Sequence, residues 1–521
     1  MTLSIRQFLK PEKQNTRSVL TLVTSLIALI INILVSFFLS PYIVKTLGAE
    51  ANGFTQLANN FINYATLITV ALNSMAGRFI TINYYKHDTR SSNEYYSSVI
   101  IGNIAVFLIL VLPATYCIIR LDHIINIGNS NVLHVKYLFA FVFANFFLSQ
   151  ITSILNIATY VTNKQYLQNP VNVSKTILNA ILLLIVFTVF TPKIYYVSLI
   201  GFLLTLFSIP VFYRIKKQVL PDLEFGIKYY KGKAVLQLIT SGIWNTINQC
   251  GNLLMTGFDL LITNLFLGPT PMGILSIAKI IPNLIIQIAS TVDMSFSSNL
   301  TIAYTDVDKE KKVIESLKFA MKCSNILVSI PIMIMCIYGE NFYRLWVPSM
   351  NAHELSILSI LTCMAFIPLA GTQVLYNVFT TTNKLKVNSL SVVFGGILNL
   401  LLVIFLLKTT DLGLIAVAGV SSIISILRNL LITVPYTAKI LNLKWWTFYK
   451  DVMISLLCCL INGSICYFMQ KLILPNNWLG MVLSVGCASC LCLLAIFIIL
   501  FNREDRNRLM AKIKSFSEKF G

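Results

Sequence analysis

The sequence predicts an all-α polytopic membrane protein of about 14 transmembrane helices, arranged as two six-helix lobes related by internal duplication plus two C-terminal helices. Three observations predict it. Hydrophobic residues make up 56% of the 521 residues and charged residues only 12%, against about 25% charged in a soluble domain. Such a chain cannot cover its apolar surface with polar side chains, so lipid must do so. Apolar runs of membrane-spanning length recur from end to end, and the chain matches itself at an offset of 220 residues.

A transmembrane helix needs about 20 mostly apolar residues. Fourteen segments qualify: 18–46, 54–82, 95–120, 132–162, 171–190, 194–215, 234–266, 272–303, 316–338, 353–382, 386–408, 413–440, 449–472 and 478–501. The first is preceded by a polar start holding Arg6, Lys10, Lys13 and Arg17, and its apolar run is too long for a cleaved signal. Residues 1–17 therefore read as a cytoplasmic N-terminal segment before a span that stays in place.

Lys and Arg in short loops mark the cytoplasmic side. With the N-terminus inside, the inside segments carry 28 of the 40 Lys and Arg, the outside segments 7 and the spans 5. Both termini are accordingly expected in the cytoplasm of a multi-pass inner-membrane protein. The net charge of +20 then belongs to that face, and no nucleic-acid partner is expected. The tail 502–521 places Leu509, Ile513, Phe516 and Phe520 on one face among basic residues. It fits a helix lying on an anionic membrane surface, or equally a partly ordered tail that enforces orientation.

The repeat orders the spans. Leu47-Gly48 and Gly53 match Leu267-Gly268 and Gly273, Thr162-Asn163-Lys164 matches Thr382-Asn383-Lys384, and Ile177-Leu178-Asn179 matches Ile397-Leu398-Asn399. The unit is six spans, giving an N-lobe at 18–215 and a C-lobe at 234–440 in the same orientation. Residues 216–233 form a basic cytoplasmic linker, 441–501 the C-terminal helix pair, and 502–521 the tail. Paired halves in transporters place the substrate pathway at their interface near mid-bilayer.

An ionisable side chain at the bilayer centre costs about 2.5–3.5 kcal/mol, so each needs a reason. Lys175 and Lys322 lie near cytoplasmic ends and can snorkel. Arg78 is similarly placed. Arg428 sits near the middle of its span and should face a cavity. Asp259 lies eight residues before Leu267 and Lys279 eight after Pro271, so both sit about 12 Å below the same turn on consecutive antiparallel helices. They read as an ion pair, either a structural lock or a gate that opens when a diphosphate or proton competes for one member. Asp293 lies deeper, with Arg78 or Arg428 as candidate partner. Asn60 and Asn63, with Asn59, and Asn245, Asn248 and Gln249 can meet sugar hydroxyls or serve as ordinary helix–helix glue.

Leu47-Gly48-Ala49-Glu50-Ala51-Asn52-Gly53-Phe54, then Ala76-Gly77-Arg78-Phe79, Asp259 ahead of Phe266-Leu267-Gly268, and Thr382-Asn383-Lys384 resemble the O-antigen and polysaccharide (Wzx-like) flippases. These belong to the multidrug/oligosaccharidyl-lipid/polysaccharide exporter superfamily, and the resemblance covers essentially the whole chain. It implies alternating access that carries an undecaprenyl-diphosphate-linked oligosaccharide to the periplasmic leaflet for cell-surface polysaccharide such as O-antigen lipopolysaccharide. The final helix pair would then help form a lipid-tail groove. Lipid-linked oligosaccharide, membrane lipids, a coupling H+ or Na+ and other glycan-assembly membrane proteins are the expected partners. Arg78, Lys279 and Arg428 are the substrate-binding candidates, and Asp259 and Asp293 the coupling or gating ones.

The chain is read as a transporter and not an enzyme, with no cofactor and no metal site. It contains no G-x-x-x-x-G-K-[ST] phosphate loop, and its four His lie in or beside loops without ligand spacing. Cys487-x-x-Cys490 falls inside an apolar run, where small-residue packing is expected. A cation-coupled multidrug exporter of the same superfamily and a membrane glycan polymerase or ligase are the rival readings. The absence of a long outside loop argues against the second.

Overall fold

The structure, a computed structural model, describes residues 14–128, 130–304, 309–382 and 384–500. The amphipathic tail read at 502–521 and most of the segment 1–17 lie outside the described residues. All regular structure among the described residues is helical, and thirteen of those helices are long and apolar enough to cross a membrane. The chain packs as two compact units. The first runs to Leu253 and takes in Gly257–Ser276; the second takes in Leu254–Thr256 and the chain from Ile277.

The first unit holds α1 (Gln14–Leu47), α2 (Ala49–Tyr85), α3 (Thr89–Ile119), α4 (Val132–Val161), α5 (Asn169–Val189), α6 (Tyr195–Val219), α7 (Gly232–Asn252) and α8 (Asp259–Leu267). Most of α9 (Pro269–Ala278) also belongs to it. Leu72, Ala76 and Ile80 of α2 pack with Tyr96 and Val99 of α3, Ile154 and Ala158 of α4 and Leu238 of α7 in one buried cluster. Asn73, Asn103 and Gln150 tie α2, α3 and α4 together through amide hydrogen bonds of 2.8–3.2 Å.

Helix ends follow local chemistry. Asp88 caps α3 by accepting from the Ser91 amide at 2.9 Å, and Asn131 caps α4, as short side-chain acceptors do at helix starts. Between those helices Lys136 Nζ lies 2.6 Å from Asp122, and its hydrogen bond holds that carboxyl below the usual aspartate range. The two Leu-Gly turns of the repeat share one backbone form, Gly48 at φ 85°, ψ 168° and Gly268 at φ 97°, ψ −179°. Glycine alone adopts such angles at no steric cost. Residues 216–233 are folded onto the start of α3: Leu220 and Leu223 are buried, and Lys231 pairs with Glu94 at 2.7 Å.

The second unit comprises α10 (Ile280–Tyr304), α11 (Lys309–Trp346), α12 (Ala352–Cys363), α13 (Tyr376–Thr381), α14 (Lys386–Thr409), α15 (Leu414–Arg428), α16 (Val434–Ile440), α17 (Tyr449–Leu472) and α18 (Trp478–Leu500). Its core gathers Leu317, Met321, Val374, Leu375, Val378, Val434 and Phe448. The expected span at 353–382 is not one helix. It breaks after α12 into the turn Phe366–Leu369, a short 3-10 turn at Thr372–Leu375 and α13. Pro368 lacks a backbone donor, and the backbone at Gly371 presses so close to Asn325 that an added Cβ would come within 2.6 Å.

This broken segment nevertheless crosses. Ser455 Oγ donates to Asn325 Oδ1 at 2.5 Å, Asn462 Nδ2 to Ser329 Oγ at 2.9 Å and Gln470 Nε2 to Asn341 Oδ1 at 2.9 Å. The partners stay 129 to 133 residues apart along the whole ladder, so α11 and α17 run parallel. Parallel spans need an odd number of crossings between them. With α14 and the α15–α16 span, the 352–381 segment makes three.

Candidate functional site

The polar site of the second unit is built around Arg428. Along α15, Val417, Ser421 and Ile424 are buried, and Arg428 follows Ile424 by one helical turn on the same inward face. The helix then opens into a π turn at Asn429–Thr433, a distortion common at functional positions. Arg428 Nη2 donates to the Tyr376 hydroxyl at 2.6 Å. Longer contacts of 3.5 Å run to Asn388 Oδ1 and Asn429 Oδ1. The guanidinium carbon lies 5.7 Å from the centre of the Tyr376 ring. Tyr376 in turn donates to Asn429 Oδ1 at 2.5 Å.

Every one of these partners is neutral, and the buried Nε has no hydrogen-bond partner among the described residues. A guanidinium carries five donors, so this one keeps donors to spare. Planar, paired donors without a carboxylate partner suit a phosphate oxygen or another anion.

Asp293 on α10 lies beside the same broken segment. Its backbone carbonyl accepts from Asn377 Nδ2 at 3.0 Å, while its buried Oδ1 has no partner. Of the two candidate partners of Asp293, Arg428 forms no ion pair with it among the described residues. Each instead engages a neighbour on α13, Tyr376 for the arginine and Asn377 for the aspartate. The break at Pro368 and Gly371 thus positions both side chains. Lys279, also in this unit, donates to the Thr256 carbonyl at 3.3 Å, and Asn399 Nδ2 donates to the Met255 carbonyl at 2.8 Å. Both satisfy carbonyls freed where the seventh span opens into a π turn at Leu253–Gly257.

In the first unit, α2 and α7–α8 run antiparallel. Gly242 packs on the backbone of Ala71, and Tyr64 stacks on Phe258 with 4.6 Å between ring centres and donates to the Gly257 carbonyl at 2.8 Å. Asn60, Asn245, Asn248 and Gln249 are half-exposed and Asn63 is exposed. None of these amides has a side-chain hydrogen bond among the described residues. Arg78 is exposed and likewise unpartnered. Helix faces of this kind are stable where they line water, because an unsatisfied polar group in hydrocarbon costs several kcal/mol. Asp259 is 3% exposed at the start of α8. Lys175 donates to Thr205 Oγ1 at 3.0 Å. Cys487 and Cys490 lie on the exposed face of α18 instead of packing inside the chain.

Sequence reasoning did not single out Tyr376, Asn377, Asn388 and Asn429. The signal available was Pro368 and Gly371 inside a predicted span, since interrupted helices line binding sites in transporters.

No known family description matches the chain. It is 25% identical over 497 residues to the uncharacterized membrane protein EpsK of Bacillus subtilis (strain 168), a match spanning 94% of this chain and 97% of that protein. Among solved structures it is similar to the lipid II flippase MurJ in an inward closed conformation (TM-score 0.64, 16% identity, 93% of this chain and 100% of that one). It is also similar to an inward-facing multidrug resistance MATE transporter of the MOP superfamily (TM-score 0.60, 11% identity, 86% and 98%). The chain therefore has the fold of MOP-superfamily membrane transporters and flippases.

Proposed function

We propose that this protein flips an undecaprenyl-diphosphate-linked oligosaccharide from the cytoplasmic to the periplasmic leaflet by alternating access, for the synthesis of a cell-surface polysaccharide. The observation that carries the reading is Arg428, a guanidinium inside a membrane span whose partners are all neutral and whose Nε is unpartnered. A diphosphate supplies the charge this site lacks, and the unpaired amides on α2 and α7 suit sugar hydroxyls. Likeness in fold to a lipid II flippase supports a lipid-linked cargo. Arg78 and Lys279 are further proposed contacts to the diphosphate. Asp259 and Asp293 are the proposed coupling groups for H+ or Na+, Asp293 because its buried carboxyl oxygen has room for a proton or cation.

The test is the leaflet distribution of undecaprenyl-linked oligosaccharides in cells lacking the protein. Completed units should accumulate on the cytoplasmic side. Units that reach the periplasm but stay unpolymerised would favour a polymerase or ligase, and an unchanged glycan with altered drug resistance would favour a multidrug exporter.

A further inference from the structure

In the second unit a groove of about 570 Å³ lies between the start of α14, the π turn and the loop that follows α16. It is lined by Val387, Leu431, Pro435, Tyr436, Lys439 and Trp445, among others. Three spans share this end of the unit: α14 begins at Lys386, α16 ends at Ile440 and α17 begins at Tyr449. Its walls are apolar yet uncovered, with Val387 40%, Leu431 70% and Trp445 60% exposed.

The rim is basic. Lys439 is exposed, and its side chain makes no hydrogen bond or ion pair among the described residues. Lys384 and Lys386 precede Val387, Lys444 precedes Trp445, and the only acidic residue from 384 to 450 is Asp411, at the far end of α14. Lys444 Nζ sits 5.4 Å from the Trp446 ring centre. Tryptophan and lysine at a span end are the composition of the membrane–water boundary. Basic pockets between transmembrane helices hold anionic lipid headgroups.

We infer that this groove is a specific site for an anionic glycerophospholipid, its phosphate at Lys439 and its acyl chains along Leu431 and Val387. Charge complementarity selects that occupant: an uncompensated lysine beside exposed apolar side chains fits a molecule that is anionic at one end and hydrocarbon at the other. Leu431 and Ile432 of the π turn that follows Arg428 line the site. Trp445 packs edge-on against Tyr449 at 5.7 Å, and the Tyr449 hydroxyl donates to the Leu430 carbonyl at 2.5 Å.

The full-length protein is reconstituted in phosphatidylcholine bilayers, and tryptophan fluorescence is followed as brominated phosphatidylglycerol or brominated phosphatidylcholine replaces the host lipid. Brominated phosphatidylglycerol should quench the component lost in Trp445→Phe at a roughly fivefold lower mole fraction than brominated phosphatidylcholine, the scale expected of one lysine at a membrane surface. Lys439→Gln should erase that preference, and Lys408→Gln, at the opposite end of α14, should keep it. Equal quenching of the wild-type protein by the two lipids overturns the proposal without needing any variant to fold. So does a preference that survives Lys439→Gln, or one that millimolar inorganic phosphate abolishes. None of these readouts depends on transport, so the result stands apart from the flippase reading.

Discussion

Gly53 and Gly273 lie against each other: a Cβ built on Gly53 would fall 3.0 Å from the Gly273 Cα, and one built on Gly273 would fall 2.6 Å from the backbone of Ala49. The two are 220 residues apart, the offset of the internal repeat, and so are Thr270 and Glu50, whose side chains hydrogen-bond at 2.5 Å. Glycine at both positions is what lets the two helix starts approach so closely. Gly273→Val should destabilise the protein by about 1–3 kcal/mol, the usual cost of overpacking. A lower melting temperature in detergent checks it against Gly486→Ala, where a Cβ meets nothing within 4 Å.

At the second-unit site, Arg428→Ala should abolish transport while leaving membrane insertion intact. Tyr376→Phe removes one neutral hydrogen-bond partner and should weaken substrate binding about fivefold, as loss of about 1 kcal/mol implies. Normal surface glycan from the Arg428→Ala variant would remove that residue from the binding site.

Reversal of either Asp259 or Lys279 alone should eliminate function, and reversal of both together should restore it if they pair. A double variant as inactive as the single ones would count against the pairing.

If Asp293 carries a coupling ion, Asp293→Asn should retain binding of a lipid-diphosphate probe and lose the dependence of transport on an imposed proton or sodium gradient. Reconstituted vesicles with a clamped gradient read both. A variant that keeps its gradient dependence would move coupling elsewhere.

Outside the spans, the Asp122–Lys136 pair sets a pH effect of known sign. The carboxyl titrates below its ordinary value of 3.8 in the folded protein. Its contribution to stability is therefore complete above that value and is lost as pH falls through the depressed one. Asp122→Asn should therefore lower the melting temperature slightly at neutral pH, and its difference from the wild-type protein should vanish as pH falls through the depressed value.

The spans were legible because apolar length is a strong signal, and Arg428 because a charge inside such a run is rare. Its partners were not. Tyr376, Asn388 and Asn429 are residue types that pack between helices everywhere, and only the folded backbone reveals that they converge on one guanidinium. The break at 364–375 left only Pro368 and Gly371 as its trace in an otherwise apolar run. For Lys175, hydropathy reports depth along a span and not the Thr205 hydroxyl on the adjacent helix.

The amide ladder between α11 and α17 has a consequence for synthesis. Asn325 leaves the ribosome 130 residues before Ser455, and at about 5–20 residues per second that is an interval of roughly 10 s. During it, Asn325, Ser329 and Asn341 are already made while their partners on α17 are not. A nascent chain in this state exposes a row of polar groups on a segment bound for the bilayer. The last two helices thus complete a surface prepared more than a hundred residues earlier, and a transcript cut short after α16 would leave that surface unfilled.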